Sequence, residues 1–196
     1  MNKSEPTSRQ KQAMMTKKKI FTVAVSLMQK HGFEETSIEQ ICKKAKVSVG
    51  SFYNYFGSKH DVLLMVYESA DQYFKDVVEP QIHSLDPAEQ ILRFFSYYAQ
   101  YNTQNGLDFV THLYGNSDNK LFLDDSRYMH QLLRNLLQDA RDNGRLSDAM
   151  PFEEIEPFLF LIARGIVNDW CLHDGSYDLE QKMLRCFQTI LPLVIR

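Results

Sequence analysis

The sequence predicts an all-α chain of about nine helices. Three observations carry that prediction. Apolar residues recur at three- and four-residue spacing in every long segment, no segment alternates apolar and polar residues over a strand's length, and glycine, proline, Asn-Gly and Asp-Gly punctuate the periodic runs. With 196 residues, 44% of them apolar, the chain can bury one substantial core or two small ones.

Residues 1–12, with Pro6 and scattered polar groups, read as a loose leader. A first helix runs from residue 11 or 16 to residue 31 on Ile20, Ala24, Leu27, Met28 and His31, and Gly32 ends it with Phe33 folding back. Thr36 and Glu39 make a capping-box pattern that opens a second helix carrying Ile38, Ile41, Cys42 and Ala45 on one face. Ser48 is an N-cap for a short third helix over residues 49–56, and Gly57 and Ser58 close it and open the fourth. That fourth helix carries Val62, Leu63, Val66, Ala70, Tyr73, Phe74 and Val77 to a break near Pro80. Five more follow, over residues 86–101, 105–114, 121–143, 152–173 and 178–193, separated by the turn formers around Gly106, Gly115, Gly144, Pro151 and Gly175.

Charge is divided unevenly. Residues 1–60 hold eleven Lys or Arg against four Asp or Glu, while the remaining chain holds eleven basic and twenty-one acidic groups. A basic head that meets a polyanion and an acidic body that does not is the arrangement this implies. The longest mostly apolar stretch, residues 158–167, is interrupted by Arg164 and falls short of the roughly 20 residues a membrane span needs. The basic start of the chain lacks the apolar core of a secretory signal, so a cytoplasmic location is expected. Three cysteines, Cys42, Cys171 and Cys186, at wide spacing fit neither a disulfide framework nor a zinc site. No phosphate loop, nucleophile elbow or paired ligand set is present, so neither catalysis nor a cofactor or metal is expected.

Two short helices joined by a tight turn, the second opening on Ser and small residues, describe a helix-turn-helix over residues 37–56. Phe52 and Phe56 would anchor the second helix. Val49, Gly50, Ser51, Tyr53, Asn54 and Tyr55 are left nearer its outer face, where Gly50 lets backbone approach DNA, Ser51 and Asn54 can bond base edges or phosphate, and the two tyrosine hydroxyls can reach phosphate. Ser37 and Ser48 mark helix starts, where unpaired N–H groups receive phosphate, and Lys59 adds charge at the start of the next helix.

The stretch Gly32-Phe33-Glu34-Glu35-Thr36-Ser37-Ile38-Glu39-Gln40-Ile41, continuing as Ala45-Lys46-Val47-Ser48-Val49-Gly50-Ser51-Phe52-Tyr53-Asn54-Tyr55-Phe56 and Lys59, closely resembles the DNA-binding domain of the tetracycline-repressor (TetR) family. The resemblance covers about residues 14–75, and from there on it is architectural only. It implies a DNA-binding domain over residues 13–75, an effector-binding and dimerisation domain over residues 76–196, and a homodimer whose paired heads sit on a palindromic operator. It also assigns Tyr53 to a DNA contact. Two residues depart from the family's usual pattern: Cys42 stands where alanine is common, and Val49 where a polar residue often opens the reading helix.

In the C-terminal part, Phe158, Ile162, Gly165 and Ile166 on one helix and Met183, Phe187 and Ile190 on the last resemble the family's dimer interface, a four-helix bundle from two subunits. Gly165 inside a helix points to a close crossing. The aromatic middle of the chain is expected to be largely core. Its Tyr hydroxyls and His imidazole need polar partners, which an effector cavity supplies, so a pocket for a small, largely apolar or aromatic effector is expected, lined by Phe94, Tyr98, Tyr101, Phe109, His112 and Tyr128. Cys171 and Cys186 are expected to be free thiols, with a redox switch as the alternative. The chain therefore reads as a ligand-responsive transcriptional repressor. The same pattern admits an activator, or a protein of this fold with no effector and an architectural or cell-division role.

Overall fold

The computed structural model describes residues 7–115, 122 and 124–196, apart from the side chain of Tyr67. Among them stand ten α-helices and no strand, only an isolated bridge between Leu146 and Ile195. The chain divides into two compact units, Met1–Val66 and Tyr67–Arg196. The division lies ahead of the expected boundary at residue 75, inside a helix.

The first unit holds α1 (Ser8–His31), α2 (Ile38–Ala45), α3 (Val49–Tyr53) and the first part of α4 (Lys59–Tyr73). Thr7 and Gln10 form a capping box, so α1 already begins within the segment read as a loose leader. Gly32 stops it with φ at 91°, a backbone that favours glycine. The box that opens α2 is Ser37 with Gln40, one residue later than Thr36 with Glu39. Thr36 is buried, and its hydroxyl donates to the Gly32 carbonyl at 2.8 Å, so it ties the turn and cannot cap. Ser48 caps α3 as expected, although the helix ends at Tyr53, before Phe56. Ile20, Ala24, Met28, Ile41, Phe52, Phe56, Val62 and Leu63 form the core of this unit.

In the second unit α4 does not break at Pro80. A π turn over Phe74–Val78 leads into α5 (Glu79–Ile82), the tenth helix, where Pro80 sits in the first turn and its missing N–H removes little. Next come α6 (Pro87–Asn105), α7 (Leu107–Tyr114), α8 (Tyr128–Asp142), α9 (Phe152–Leu172) and α10 (Leu179–Ile190), closed by a 3₁₀ turn Leu191–Leu193. The expected start at residue 121 lies outside the described residues; α8 starts only at Tyr128, after a turn at Asp125 and Ser126. The core is aromatic: Phe95 stacks on Phe187 at 4.0 Å, and Phe74, Phe94 and Phe160 close around it.

Two polar features cross this core. Asp71 on α4 accepts from Arg127 Nε at 3.1 Å and from the Met129 N–H at 3.2 Å, so its carboxylate neutralises a buried guanidinium and caps the start of α8. His130 and Glu156, both buried, meet at 2.5 Å beside Phe160.

Candidate functional site

Phe52 and Phe56 lie a turn apart and are both buried, with rings 5.5 Å apart, which fixes the rotation of α3. What remains outward is Val49, 41% exposed, Tyr53, 54% exposed, and the exposed Gly50 and Asn54. Ser51 and Tyr55 are half-buried at the edges of this face. An uncovered valine, a glycine, a phenol and an amide on one short helix suit a base-edge surface better than a protein core.

At the helix starts the structure differs from expectation. The Ser37 N–H donates to Gln40 Oε1 at 2.8 Å, and the Ser37 hydroxyl accepts from the Gln40 N–H at 3.2 Å. Its own backbone N–H first, and the Ser37 hydroxyl second, hold the Glu39 carboxyl below the usual carboxylate range, so an anion already stands at this terminus. The Ser48 hydroxyl is likewise committed to the Ser51 N–H. Lys59 Nζ donates to the carbonyls of Phe33 at 2.8 Å and Glu34 at 3.3 Å and lies 4.5 Å from the Phe33 ring centroid. Lys59 thus ties the start of α4 to the α1–α2 turn, with its charge kept at this edge of the unit. Two of its three N–H bonds are spent inside the protein.

In the second unit Phe94, Tyr98 and Phe109 are buried, while Tyr101, His112 and Tyr128 are half-buried. The polar groups find partners within the chain: Tyr98 with Tyr114 at 2.7 Å, Tyr101 with Ser69 at 2.9 Å, Tyr128 with Glu79 at 2.5 Å, and His112 with Asp108 at 3.6 Å. Intramolecular pairing therefore meets the need for which an effector was invoked. An open cleft of about 440 Å³ lies elsewhere, between α6 and the start of α10, lined among others by Gln100, Gln104, Trp170 and Glu180.

The residues read as a dimer face separate into two groups. Phe158, Ile162 and Ile190 are half-buried and Gly165 is exposed, whereas Ile166, Met183 and Phe187 are buried within their own chain. Met183 and Phe187 have no surface to give a partner, because α10 turns them onto α6. A Cβ on Gly165 would meet nothing within 4 Å, so no crossing inside the chain requires this glycine. Leu161, 64% exposed, which the sequence places beside Phe158 and Gly165, and Leu172, 75% exposed, extend the outer face of α9; Leu172 was missed, and its seven-residue spacing from Gly165 is the signal that could have found it.

The three cysteines are free. Burial pushes the Cys42 and Cys171 thiols up, which leaves little thiolate for redox chemistry. Among the described residues no cluster of His, Cys, Asp or Glu could hold a metal, and no helix is long and apolar enough to cross a membrane.

Residues 20–66 match the family model described as bacterial regulatory proteins, tetR family. The "Fatty acid metabolism regulator protein" of Bacillus subtilis (strain 168) is 21% identical over 169 residues, covering 82% of this chain and 86% of that one. The "HTH-type transcriptional regulator HbdR" of Aromatoleum sp. (strain CIB) is 34% identical over 73 residues, covering 37% of this chain and 32% of its own. Among solved structures, Thermus thermophilus FadR, described as a transcriptional repressor in complex with lauroyl-CoA, superposes with a TM-score of 0.69 at 23% identity, covering 89% of this chain and 92% of that one. The outward face of α3, the core that holds it and the family match over the same residues agree: residues 20–66 form a helix-turn-helix DNA-binding domain of the tetR family, and the chain as a whole is similar in sequence and fold to regulators described as such.

Proposed function

We propose that the protein is an effector-released repressor that acts in the cytoplasm, binds a palindromic operator as a homodimer and performs no catalysis. The observation that carries the DNA-reading part is the uncovered face of α3, Val49, Gly50, Tyr53 and Asn54, held in place by buried Phe52 and Phe56. One such helix reads too few base pairs for useful specificity, so two copies are required. The apolar outer face of α9, with Phe158, Leu161, Ile162, Gly165 and Leu172, supports pairing there.

The effector is proposed to be apolar and to enter the aromatic interior around Phe94, Tyr98, Tyr101, Phe109, His112 and Tyr128. A polar end on an otherwise apolar effector, such as a thioester carbonyl, would exchange partners with the Tyr98–Tyr114 pair and the His112–Asp108 pair. Long-chain acyl thioesters are the first class to test, because the relatives that match along most of the chain include a fatty acid metabolism regulator and FadR structures described with stearoyl-CoA and lauroyl-CoA. Footprinting on the DNA around the protein's own gene, with and without lauroyl-CoA, tests both parts. A protected symmetric site that disappears with ligand is expected. Absence of any protected site ends the operator reading, and protection indifferent to every apolar ligand leaves a DNA-binding protein without this effector.

A further inference from the structure

From Pro6 to Phe33 the sequence holds six Lys or Arg and no Asp or Glu. Within α1, therefore, none of the i,i+4 ion pairs that support an exposed helix can form. Arg9 and Lys11 stand near its N-terminal end, where the helix dipole disfavours cations. From Ser8 to Lys19 no residue is buried, and Ile20 is the first side chain of α1 in the core. Charge set against the helix's own stability, on a stretch that the core does not hold, points to an anionic surface outside the chain.

The same stretch is also apolar where it is most exposed. Met14 is 66% and Met15 71% exposed, and with Lys17, Lys18, Phe21 and, from α4, Met65 they line a hollow of about 420 Å³. Lys17 is turned inward, its Nζ 5.6 Å from the Phe56 ring centroid. At about 100° per residue, Met14, Lys18, Lys11 and Met15 follow one another round one side of α1, opposite the buried Ile20, Ala24 and Leu27. Methionines and cations are thus interleaved on a single face. That pattern selects among anionic partners. A DNA backbone answers the cations and leaves the methionines unmatched, and an acidic amphipathic helix presents its carboxylates and its apolar residues on separate faces. A bilayer offers both at every point: anionic headgroups above and acyl chains beneath, with lysine stems lying at the boundary and their ammonium groups reaching up.

We propose that the N-terminal half of α1 docks the protein on anionic lipid bilayers, with Met14, Met15 and Phe21 entering the acyl boundary and Arg9, Lys11, Lys18 and Lys19 taking the headgroups. The surface uses none of the α3 residues assigned to base reading, and it depends on neither the operator nor the effector.

Flotation of the full chain with vesicles of phosphatidylglycerol, and separately of phosphatidylcholine, tests this. Wild type should float with the first and stay behind with the second, and glycerophosphate at the same phosphate concentration should not release it, because a free headgroup brings no acyl layer. Lys11→Gln and Lys18→Gln should each weaken binding to phosphatidylglycerol about fivefold, near the attraction of one cation to an anionic membrane surface. The double variant Met14→Gln, Met15→Gln should weaken it at least as much and leave the melting temperature and the affinity for a random duplex unchanged. Lys30→Gln, exposed at the other end of α1, should change nothing. Failure of wild type to float with phosphatidylglycerol overturns the proposal, as does an equal loss in Lys30→Gln. Binding that survives the methionine changes is attraction to any polyanion, and a duplex affinity that falls with them gives the face to DNA; either result overturns it. Tighter binding to a Glu- and Leu-based amphipathic peptide than to the vesicles would give the face to a protein partner, with the same consequence.

Discussion

Tyr53 and Phe52 are neighbours in sequence and opposites in environment, one 54% exposed and the other wholly buried. That contrast separates reading from anchoring. Asn54→Ala should cost about 1 to 3 kcal/mol at particular base positions and little at others, because an amide bonded to a base edge discriminates. Tyr53→Phe should weaken all sequences nearly equally through a lost phosphate contact. Binding to a panel of singly substituted operators distinguishes the two. A uniform loss in Asn54→Ala would sink its assignment to a base. Two other tyrosines set a pH limit. A hydrogen bond to Glu79 first, then burial, pushes the Tyr128 phenol up to about 12, and burial first, then Asp169, pushes Tyr177 still further. An unfolded phenol titrates near pH 10, about two units lower than Tyr128. The native phenols therefore keep protons that the unfolded ones lose, so their contribution is complete below about pH 10 and is lost as pH rises through the folded values. Urea midpoints from pH 8 to pH 11.5 should fall steeply above pH 10 in wild type. The Tyr128→Phe, Tyr177→Phe double variant should fall less; parallel curves would remove both residues from the account.

Among the elements, α4 and α8 are joined by chemistry and not only by packing. Asp71 neutralises Arg127, whose side chain is 4% exposed, and caps α8 through the Met129 N–H. Removing the carboxylate leaves a buried cation, so Asp71→Ala should destabilise the C-terminal unit by about 3 kcal/mol, near the lower end for a broken buried pair because Asp71 itself is partly exposed. Adding Arg127→Met should recover part of the loss, and a double-mutant cycle by urea unfolding measures the coupling. Additive losses would mean that the pair is not coupled. The outer face of α9 gives a cleaner test of pairing than its sequence suggested. Since nothing in the chain crowds Gly165, Gly165→Leu leaves the monomer intact, and sedimentation should show dissociation if two α9 helices cross there. An unchanged dimer would move the interface to another face.

For the whole molecule, an effector can shift the DNA equilibrium only through different affinities for the two states, about 1.4 kcal/mol for each tenfold loss of operator affinity. By reciprocity the operator must weaken effector binding by the same factor. Calorimetry with lauroyl-CoA, with and without operator duplex, should give two affinities whose ratio matches the ratio of operator affinities with and without ligand. Equal values would leave the aromatic interior as core alone.

Helical periodicity, cap residues and glycine punctuation made the all-α class, most helix limits and the position of the reading helix legible in the sequence, because these depend on residues three or four apart. The run from Gly32 to Lys59 was likewise enough to find the tetR-type DNA-binding domain that the family match covers. The continuation of α4 past Pro80 was not legible, since a π turn registers against the rings it packs on, here Phe74 on Phe94 at 4.7 Å. Nor was the direction of Met183 and Phe187, because an apolar stripe on α10 fits a partner chain and α6 equally well until the helix is docked. The His130–Glu156 and Arg127–Asp71 pairs escaped for the same reason: their members lie 26 and 56 residues apart. Lys59 shows the division most plainly. Its charge and its place at the start of α4 are local facts, but that its ammonium also ties to two carbonyls 25 and 26 residues away is decided by tertiary contact, since such acceptors come within reach only when the α1–α2 turn is folded against α4.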